Sequence, residues 1–312
     1  MKNYDLIIIG SGGGTKLRPA ANLGKKVAII EKEDLGGTCL NRGCIPSKML
    51  IYPADLITHV REMEKFGIHV HQDIKVDFSD LIKRVTETVK KDSEGIQPGY
   101  EQNPNIDLYF GHAKFVSDKV VEVNGEELSA EKIYIATGSR PAIPNIEGLE
   151  GTPYMTSREA LRNTKQPKKM IILGAGYISV ELGHFYGAFG TDVHFLVRSR
   201  MLRREDSDVV DAFEKDFSSR YNVHFDVSPT KVEYSEGQFR VTLTHKNKEE
   251  SVMEADSLLV ATGVVPNSDD LGLENTSIKM DERGYITPNE YMETNIDGVY
   301  VLGDVAGKYL FR

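Results

Sequence analysis

The two cysteines of this 312-residue sequence, Cys39 and Cys44, lie five positions apart. In a reducing compartment, such a close pair is more often catalytic or metal-binding than structural. Five residues of straight helix rise by about 7.5 Å, whereas the Cα atoms of a disulfide usually lie about 4.4–6.8 Å apart. A disulfide here therefore requires a distorted turn, and Gly43 and Pro46 are residue types that permit one just before a helix begins.

Metal binding is the main alternative chemistry for these cysteines. Zinc would need two further ligands, and no nearby cysteine or correctly spaced histidine pair supplies them. We therefore predict no metal site. Lys48 follows Cys44 by one helical turn, and its positive charge would stabilise a thiolate there. The alternative to both chemistries is that Cys39 and Cys44 are two unrelated buried thiols with no chemical role.

The composition limits what the rest of the chain can do. With 40% hydrophobic and 27% charged residues, 312 residues suffice for two domains with separate cores. The net charge of −9 leaves no basic field for nucleic acid or for an acidic membrane surface. The N-terminal apolar run is too short for a signal peptide, and no run of about eighteen apolar residues occurs. We expect a cytoplasmic protein without a nucleic-acid or membrane partner.

A glycine-rich turn between two predicted strands indicates a dinucleotide site. The strand Asp5–Ile9 precedes the turn Gly10–Gly14, and a short helix leads to the strand Lys26–Glu31. Glycines let the backbone approach a pyrophosphate at a helix N-terminus, and the carboxylate of Glu31 can accept hydrogen bonds from a ribose.

The same pattern occurs a second time. The strand Met170–Leu173 leads to Gly174-Ala175-Gly176, with Ser179 at the third glycine position, and then to the helix Tyr177–Phe189 and the strand Val193–Val197. We favour two occupied dinucleotide sites over a duplicated domain with one silent copy.

The remaining elements are two helices and two sets of short strands. The helices run from Pro46 to about Phe66 and over Phe78–Ser93. The stretch Gly148–Gln166, rich in Gly, Pro, Thr and Ser, is the predicted linker between the halves. The short strands are Ile106–Phe110, Ala113–Ser117, Val120–Val123 and Ile133–Ala136 in the first half, and Arg240–Thr244 and Ser251–Val260 in the second. Their patterns indicate antiparallel meanders. The predicted fold class is α/β, with two Rossmann-like dinucleotide-binding domains, each with an antiparallel β-meander.

Four arginines follow the second strand of the second unit, between positions 198 and 204. An acidic residue here is typical of NAD recognition, and a basic residue is typical of NADP recognition. No acid lies among the four, and guanidinium groups bind a 2′-phosphate in bidentate fashion. We therefore favour NADP(H) over NAD(H). The alternative is a solvated surface whose arginines form ion pairs with the acids at 205, 206 and 208.

The string GGTCLNRGCIPSK at 36–48 resembles the signature of the class I pyridine nucleotide–disulfide oxidoreductases, which include dihydrolipoamide dehydrogenase, glutathione reductase, mercuric reductase and mycothione reductase. The resemblance extends through GSGGGT at 10–15, IYIATGSRP at 133–141, LGAGYISVE at 173–181, LLVATGVVPN at 258–267 and VYVLGDVAG at 299–307. NPNIDLYFGHAKF and MLRREDSD are most similar to the mycothione-reductase branch, and CIPSK is similar to dihydrolipoamide dehydrogenase.

This resemblance implies a role for each matching residue. Cys39 resembles the interchange thiol that attacks substrate, and Cys44 resembles the thiol beside the flavin. Lys48 and Glu181 resemble an ion pair near the reactive nitrogen of the flavin, and Tyr177 resembles the ring that gates nicotinamide access. The residues implied to hold FAD are Gly10, Gly12, Gly13, Gly14, Glu31, Lys32, Gly37, Thr38, Lys48, Gly111, His112, Ala113, Thr137, Gly138, Gly303 and Asp304. Those implied to hold the nicotinamide cofactor are Gly174, Gly176, Tyr177, Ile178, Glu181, Arg198, Arg203 and Gly263.

The sequence departs from the family pattern in two places. The first glycine helix is short, Thr15 replaces the third glycine, and Pro19 can kink or break the helix. The sequence also ends soon after GDVAG, where the family continues into a dimerisation domain that gives its partner's disulfide a His–Glu acid–base pair. We expect a truncated form of a longer enzyme, and the alternative is a naturally shortened one. The expected domains are 1–150 for FAD and the disulfide, 151–270 for NAD(P), and 271–312 returning to the FAD domain.

The histidines are not expected to replace that pair. His69 and His71 lie in a polar stretch, and those at 184, 194, 224 and 245 fall in the second half. We predict that they are surface histidines or core histidines satisfied by neighbours.

The predicted activity moves electrons between NAD(P)H, FAD, the Cys39–Cys44 disulfide and a small disulfide or dithiol, such as dihydrolipoamide or a low-molecular-weight thiol disulfide. The alternatives are a flavin diaphorase or NAD(P)H oxidase that bypasses the cysteines, and an inactive truncated FAD-binding fragment. The full-length family is expected to be homodimeric.

Overall fold

The computed structural model describes residues 1–69, 75–308 and 310. The chain divides into two compact units. Unit 1 comprises Met1–Ile45, Thr88–Arg140 and Val264–Arg312, and unit 2 comprises Pro46–Glu87 and Pro141–Gly263. Each unit contains one of the two glycine turns.

The described residues form strands and helices at the following positions. The strands are β1 (Lys2–Ile9), β2 (Val27–Glu31), β3 (Ile106–Phe110), β4 (Lys114–Ser117), β5 (Val120–Val123), β6 (Glu126–Ile135), β7 (Ser139–Pro141), β8 (Lys169–Leu173), β9 (Asp192–Val197), β10 (Asn222–Phe225), β11 (Val227–Ser235), β12 (Gln238–His245), β13 (Glu250–Ala255), β14 (Ser257–Val260), β15 (Val264–Pro266) and β16 (Val299–Val301). The α-helices are α1 (Gly37–Arg42), α2 (Cys44–Glu62), α3 (Phe78–Glu94), α4 (Ile96–Glu101), α5 (Ser157–Ala160), α6 (Tyr177–Ala188) and α7 (Ser207–Arg220). Short 3-10 helices cover Gly13–Leu23, Met63–Phe66, Leu273–Asn275 and Gly303–Ala306.

Unit 1 is built on a seven-stranded sheet. Its order is β3-β2-β1-β6-β5-β4, with β16 beside β6. Strands β1, β2, β3, β6 and β16 pair in parallel, whereas β4, β5 and β6 pair in antiparallel fashion. The prediction that Ile106–Phe110 belongs to an antiparallel meander is therefore wrong. This strand is the parallel neighbour of β2, because apolar alternation alone does not reveal strand direction.

Apolar residues cover both faces of this sheet. On one face, Ile8, Ile29, Tyr100 and their neighbours bury the 3-10 helix of the first glycine turn and α4 against the strands. On the other face, residues such as Ile7 join strands β4–β6 and the C-terminal segment in one core. Both faces are buried, as in doubly covered parallel sheets, so the central strands are apolar throughout.

Unit 2 combines two sheets. Strands β10-β9-β8-β14 form a parallel sheet, and β11-β12-β13 form an antiparallel one. The predicted single strand Ser251–Val260 is wrong, because β13 pairs with β12 whereas β14 pairs with β8 in the other sheet. The chain changes sheet at Asp256, whose carboxylate accepts hydrogen bonds from the backbone N–H groups of Lys168 and Lys169. Helix α7 and strand β11 were not predicted from the sequence.

Two further sequence features have clear outcomes in the structure. The helix after the first glycine turn is a 3-10 helix that contains Pro19. This agrees with the prediction that Pro19 disrupts an α-helix at this position. The stretch Gly148–Gln166 lies in unit 2, where α5 begins with a capping box at Thr156. Among the described residues, no helix is both long enough and apolar enough to span a bilayer.

Candidate active site

The helix break at Gly43 brings the two cysteines together. Helix α1 ends at Arg42, and α2 begins at Cys44. A Cβ on Gly43 would lie 2.9 Å from the carbonyl oxygen of Thr38, so only glycine fits this turn without displacing backbone. The predicted distortion is confirmed. Both cysteines are exposed free thiols, and the side chains of Cys39 and Cys44 are hydrogen-bonded to each other.

The surroundings of Cys39 change its acidity in opposing ways. Desolvation of the sulfur is the largest influence, and it raises the pKa of the Cys39 thiol, as does its hydrogen bond with Cys44. Backbone N–H groups of Cys44 and Ile45, at the start of α2, lower the same pKa. The raising effects dominate, so Cys39 is mostly protonated at neutral pH and needs a base to react as a thiolate.

This raised pKa predicts how the reduced protein reacts with iodoacetamide. Alkylation of Cys39 should accelerate by about tenfold per pH unit between about pH 7 and pH 9, because only the thiolate reacts. Cys44→Ala removes the hydrogen bond that raises the pKa, and should make Cys39 react faster at neutral pH. Mass spectrometry of the cysteine peptide measures both rates. A rate plateau below pH 8 in the unsubstituted protein would contradict the raised pKa.

A buried asparagine, missed in the sequence reading, holds the cysteine turn in place. The Asn41 amide nitrogen donates to the carbonyl oxygens of Leu35 at 2.8 Å and Gly37 at 3.1 Å. Ser93 also donates to the Leu35 oxygen, at 2.6 Å. These bonds satisfy the loop carbonyls just before α1 and fix the start of the helix that carries Cys39.

The first glycine turn joins β1 to its 3-10 helix. Gly10 has a φ of 101°, and a Cβ there would lie 2.4 Å from the Ala136 carbonyl oxygen, which excludes any other residue. Glu31 braces the turn, because one carboxylate oxygen accepts from the Ser11 N–H at 2.9 Å and the Ser11 hydroxyl at 2.7 Å. Its other oxygen accepts from the Glu33 N–H at 2.9 Å and retains a lone pair.

The residues near this turn fit a pyrophosphate-bearing cofactor. A Cβ on Gly13 would meet no atom within 4 Å, so a ligand can approach the backbone closely there. A cavity of about 550 Å³ adjoins the turn, which is a volume typical of small-molecule sites. Two exposed cations line it, Lys16 and Arg18, and the Arg18 guanidinium lies 5.7 Å from the centre of the Tyr100 ring. No sequence motif predicted a role for these cations.

Polar bonds also connect the other predicted FAD residues of unit 1. Thr137 and Asn267 bond reciprocally, with the Thr137 hydroxyl donating at 2.7 Å and the Asn267 amide donating at 2.8 Å. Ser139 donates to the Asp304 carboxylate at 2.7 Å.

Two other predicted FAD residues, Lys32 and His112, contact Asp270. Lys32 forms an ion pair with its carboxylate at 3.1 Å, and His112 bonds to its carbonyl oxygen at 2.8 Å. Ser139 and Asn267 lie within the family-like strings at 133–141 and 258–267 but were not predicted as site residues, and no motif marks Asp270. The remaining predicted residues of this set, Gly12, Gly14, Gly37, Thr38, Gly111, Ala113, Gly138 and Gly303, also lie in unit 1.

The second glycine turn has the same construction in unit 2. Gly174 has a φ of 132°, and a Cβ there would lie 2.2 Å from the Ala261 carbonyl oxygen. Gly176 and Gly263 face open space. Helix α6 follows at once and begins with Tyr177 and Ile178, two residues that are 39% and 36% exposed.

Helix α6 also carries two polar contacts of predicted site residues. Lys48 and Glu181 form an ion pair, so the structure brings together the two residues that the sequence places 133 positions apart. The Tyr177 hydroxyl donates to the Glu205 carboxylate, and this hydrogen bond raises the pKa of the Tyr177 phenol.

The arginine turn after β9 is largely free of ion pairs. Arg200 pairs with Asp211 and Glu214 of α7. In the described part of the chain, the exposed residues Arg198, Arg203 and Arg204 form no ion pair. The proposed pairing with the acids at 205, 206 and 208 is therefore not observed for these three arginines.

The histidines in the second half of the chain form hydrogen bonds with neighbouring side chains. His184 bonds to the Tyr221 hydroxyl at 2.7 Å and to Asp55 at 2.8 Å, and His245 bonds to Ser251 at 2.7 Å. His71 lies outside the described residues. Within the described ranges, no three His, Cys, Asp or Glu side chains are grouped to hold a metal ion.

A stacked histidine pair predicts a pH dependence of stability. His194 Nδ1 lies 2.9 Å from His224 Nε2, and Asp192 bonds the other nitrogen of His194 at 3.0 Å. Burial first, then the charges of His194, Lys169 and His245, lower the pKa of His224. Because the unfolded chain binds this proton at about pH 6.5, it holds more protons than the folded chain just below that pH, and stability falls there.

Urea unfolding between about pH 5 and pH 8 measures this effect. We expect the midpoint to rise with pH up to about 7, and His224→Gln to flatten the rise. His59→Gln, at an exposed position of α2, is the control. An unchanged slope in His224→Gln would exclude the assignment.

Two units with glycine turns between parallel strands, and a cysteine pair at a helix break in one of them, define the class of dinucleotide-dependent thiol–disulfide oxidoreductases. The chain belongs to the pyridine nucleotide-disulphide oxidoreductase family, whose model matches residues 4–311. FAD and a redox-active disulfide are typical of this family.

Several known proteins are similar to this chain. A mercuric reductase of Staphylococcus aureus is 33% identical over 97% of this chain and 56% of its own length. A mycothione reductase of Mycobacterium tuberculosis is 33% identical, with coverage of 100% and 68%. A dihydrolipoyl dehydrogenase of Acholeplasma laidlawii is 35% identical, with coverage of 99% and 92%. The chain thus spans little more than half the length of the mercuric reductase that it matches.

Among solved structures, the HOCl-induced flavoprotein disulfide reductase RclA of Escherichia coli, in its Cu(II) complex, superimposes with a TM-score of 0.88. It is 30% identical, and the match covers 100% of this chain and 68% of that one.

Proposed function

We propose that this chain is an FAD-dependent NADPH:disulfide oxidoreductase that acts on a small disulfide through Cys39 and Cys44. The contact between the two cysteines across the helix break at Gly43 is the observation that carries the proposal. Both thiols are exposed, so a small substrate can reach them.

In the proposed reaction, the two cysteines reduce the substrate by thiol–disulfide exchange. Two electrons and two protons convert the Cys39–Cys44 disulfide into two thiols. The Cys39 thiol then loses its proton to solvent, and the thiolate attacks one sulfur of the substrate disulfide. The substrate S–S bond breaks, and the leaving thiolate takes up a proton and departs as a thiol. Cys44 attacks the resulting mixed disulfide, restores the Cys39–Cys44 bond and releases the second thiol. The N–H groups of Cys44 and Ile45 stabilise the Cys39 thiolate during this exchange.

Unit 1 supports the proposal for FAD. The open backbone at Gly13, the lone pair that Glu31 retains and the hydrogen-bonded pair of Ser139 and Asp304 are suited to phosphate, ribose and ribityl groups respectively. FAD, when bound, would provide the two-electron link between a nicotinamide and the disulfide. The expected domains belong to this proposal, with FAD held by 1–150 and 271–312.

Unit 2 supports the proposal for NADPH. Gly174 and Gly176 are suited to a second pyrophosphate. Arg198, Arg203 and Arg204, which form no ion pair with any described residue, are suited to a 2′-phosphate. The nicotinamide domain is expected at 151–270.

A cytoplasmic location and a homodimer complete the proposal. Measurement of the molar mass in solution by light scattering tests the dimer.

Anaerobic titration of the purified protein with NADPH tests the proposal directly. The FAD absorbance should be present at the start, and a long-wavelength band due to the Cys44 thiolate beside the flavin should grow with NADPH. Colourless protein that takes up no FAD would favour an inactive fragment. Bound FAD without the new band would contradict the role of Cys44.

A further inference from the structure

A tyrosine and a glutamate connect the second glycine turn to the arginine turn. Tyr177 is the first residue of α6, and its hydroxyl donates to the carboxylate of Glu205. Glu205 directly follows Arg203 and Arg204 in the chain. An acid that follows two arginines in the chain thus has its carboxylate bonded to a neutral phenol.

The backbone fixes this arrangement. The Leu202 N–H donates to the Ala175 carbonyl oxygen at 2.8 Å, and the Glu205 N–H donates to the Leu202 carbonyl oxygen at 2.9 Å. Leu202 has a φ of 43°, a left-handed conformation that turns the chain back toward the glycine turn. The segment Leu202-Arg203-Arg204-Glu205 is thus bonded at both ends to the glycine turn and the start of α6. Leu202 is bonded through its backbone N–H, and Glu205 through its carboxylate.

We propose that Tyr177 is a positioning residue for 2′-phosphate recognition, because it holds Glu205 away from Arg203 and Arg204. This inference rests on the proposed NADPH function and adds to it. An anionic carboxylate that paired with either arginine would cancel the charge offered to a 2′-phosphate. The hydrogen bond from Tyr177 satisfies that carboxylate, so the arginines remain available to a phosphorylated adenosine nucleotide.

Tyr177 is expected to act through Glu205. Tyr177→Phe keeps the ring and removes only the hydroxyl, which releases Glu205 to pair with an arginine. Glu205→Gln removes the negative charge, so there is nothing left for Tyr177 to hold away. The loss caused by Tyr177→Phe should therefore disappear in the double variant, which is a sign of coupling between the two residues.

Calorimetric titration of the FAD-loaded protein with 2′,5′-ADP tests the proposal, because this ligand carries the 2′-phosphate but no nicotinamide. The comparison ligand is 5′-ADP, which lacks the 2′-phosphate. We expect Tyr177→Phe to weaken 2′,5′-ADP by about threefold to tenfold and to leave 5′-ADP unchanged. Glu205→Gln and the double variant should bind 2′,5′-ADP at least as tightly as the unsubstituted protein. Asp208→Asn, which makes the same charge change three residues away, should not relieve the Tyr177→Phe loss.

The outcomes separate this inference from the proposed function. If the unsubstituted protein binds 2′,5′-ADP and Tyr177→Phe binds it equally well, only the inference fails. It also fails if Tyr177→Phe weakens both ligands equally, or if the loss persists in the double variant. If the unsubstituted protein binds 5′-ADP but gains nothing from the 2′-phosphate, the NADPH preference fails and the inference fails with it.

Discussion

Cys44→Ser should lower NADPH-dependent reduction of small disulfides by about a thousandfold or more while the protein keeps its FAD. With one sulfur missing, no internal disulfide can form, so the two electrons have no protein acceptor between cofactor and substrate. Gly43 and Asn41 still shape the turn in this variant, because neither contact depends on the Cys44 sulfur. Stopped-flow absorbance and a coupled thiol assay measure the loss.

Cys39→Ser is the matched variant for this prediction. It should lose disulfide exchange to a similar extent, yet show the long-wavelength band before NADPH is added, because the Cys44 thiolate would then lie beside oxidised flavin. NADPH should bleach this band, because without a disulfide the two electrons stay on the flavin. Quinone reduction should survive in both variants. Unchanged disulfide turnover in Cys44→Ser would contradict the proposed mechanism and favour a diaphorase.

Arg203→Ala should raise the KM for NADPH by about tenfold to a hundredfold and leave the KM for NADH nearly unchanged. A charge-assisted hydrogen bond contributes about 1.5–3 kcal/mol, and about 1.4 kcal/mol corresponds to a factor of ten. Arg198→Ala is expected to act in the same direction. Steady-state kinetics with both nucleotides at low and high salt measure the effect, which should shrink as salt increases.

Arg200→Ala is the control for the arginine prediction. Arg200 already pairs with Asp211 and Glu214, so its loss should affect NADPH and NADH alike. Arg203→Lys should recover only part of the affinity, because an ammonium group cannot make the bidentate contact. Equal KM changes for the two nucleotides in Arg203→Ala would reject a 2′-phosphate role.

Local chemistry in the sequence predicted much of the fold. The two glycine turns follow apolar strands in register, and the structure places each of them between parallel strands. Cysteine spacing and Gly43 predicted the helix break, because a five-residue separation is incompatible with a bridge in a straight helix. Pro19 predicted the disrupted first helix for an equally local reason.

Strand direction and sheet membership could not be predicted in this way. Ile106–Phe110 has the pattern of a meander strand, but it pairs in parallel with β2 through residues about eighty positions earlier. Ser251–Val260 is one continuous stretch in the sequence, yet Asp256 divides it between two sheets. Partners distant in sequence decide both outcomes, and no residue within either stretch identifies them.

The sequence alone determined which chemical groups this protein has: a cysteine pair at a breakable turn, two glycine turns and a run of arginines. The tertiary structure decided how those groups are paired. It joined Lys48 to Glu181, Asp304 to Ser139 and Tyr177 to Glu205. Within the part of the chain that the structure describes, it also paired Arg200 with Asp211 and gave Arg203 no ion pair. For the cysteine pair, motif and spacing identified the residues, whereas the raised pKa of Cys39 depends on the folded environment of its sulfur.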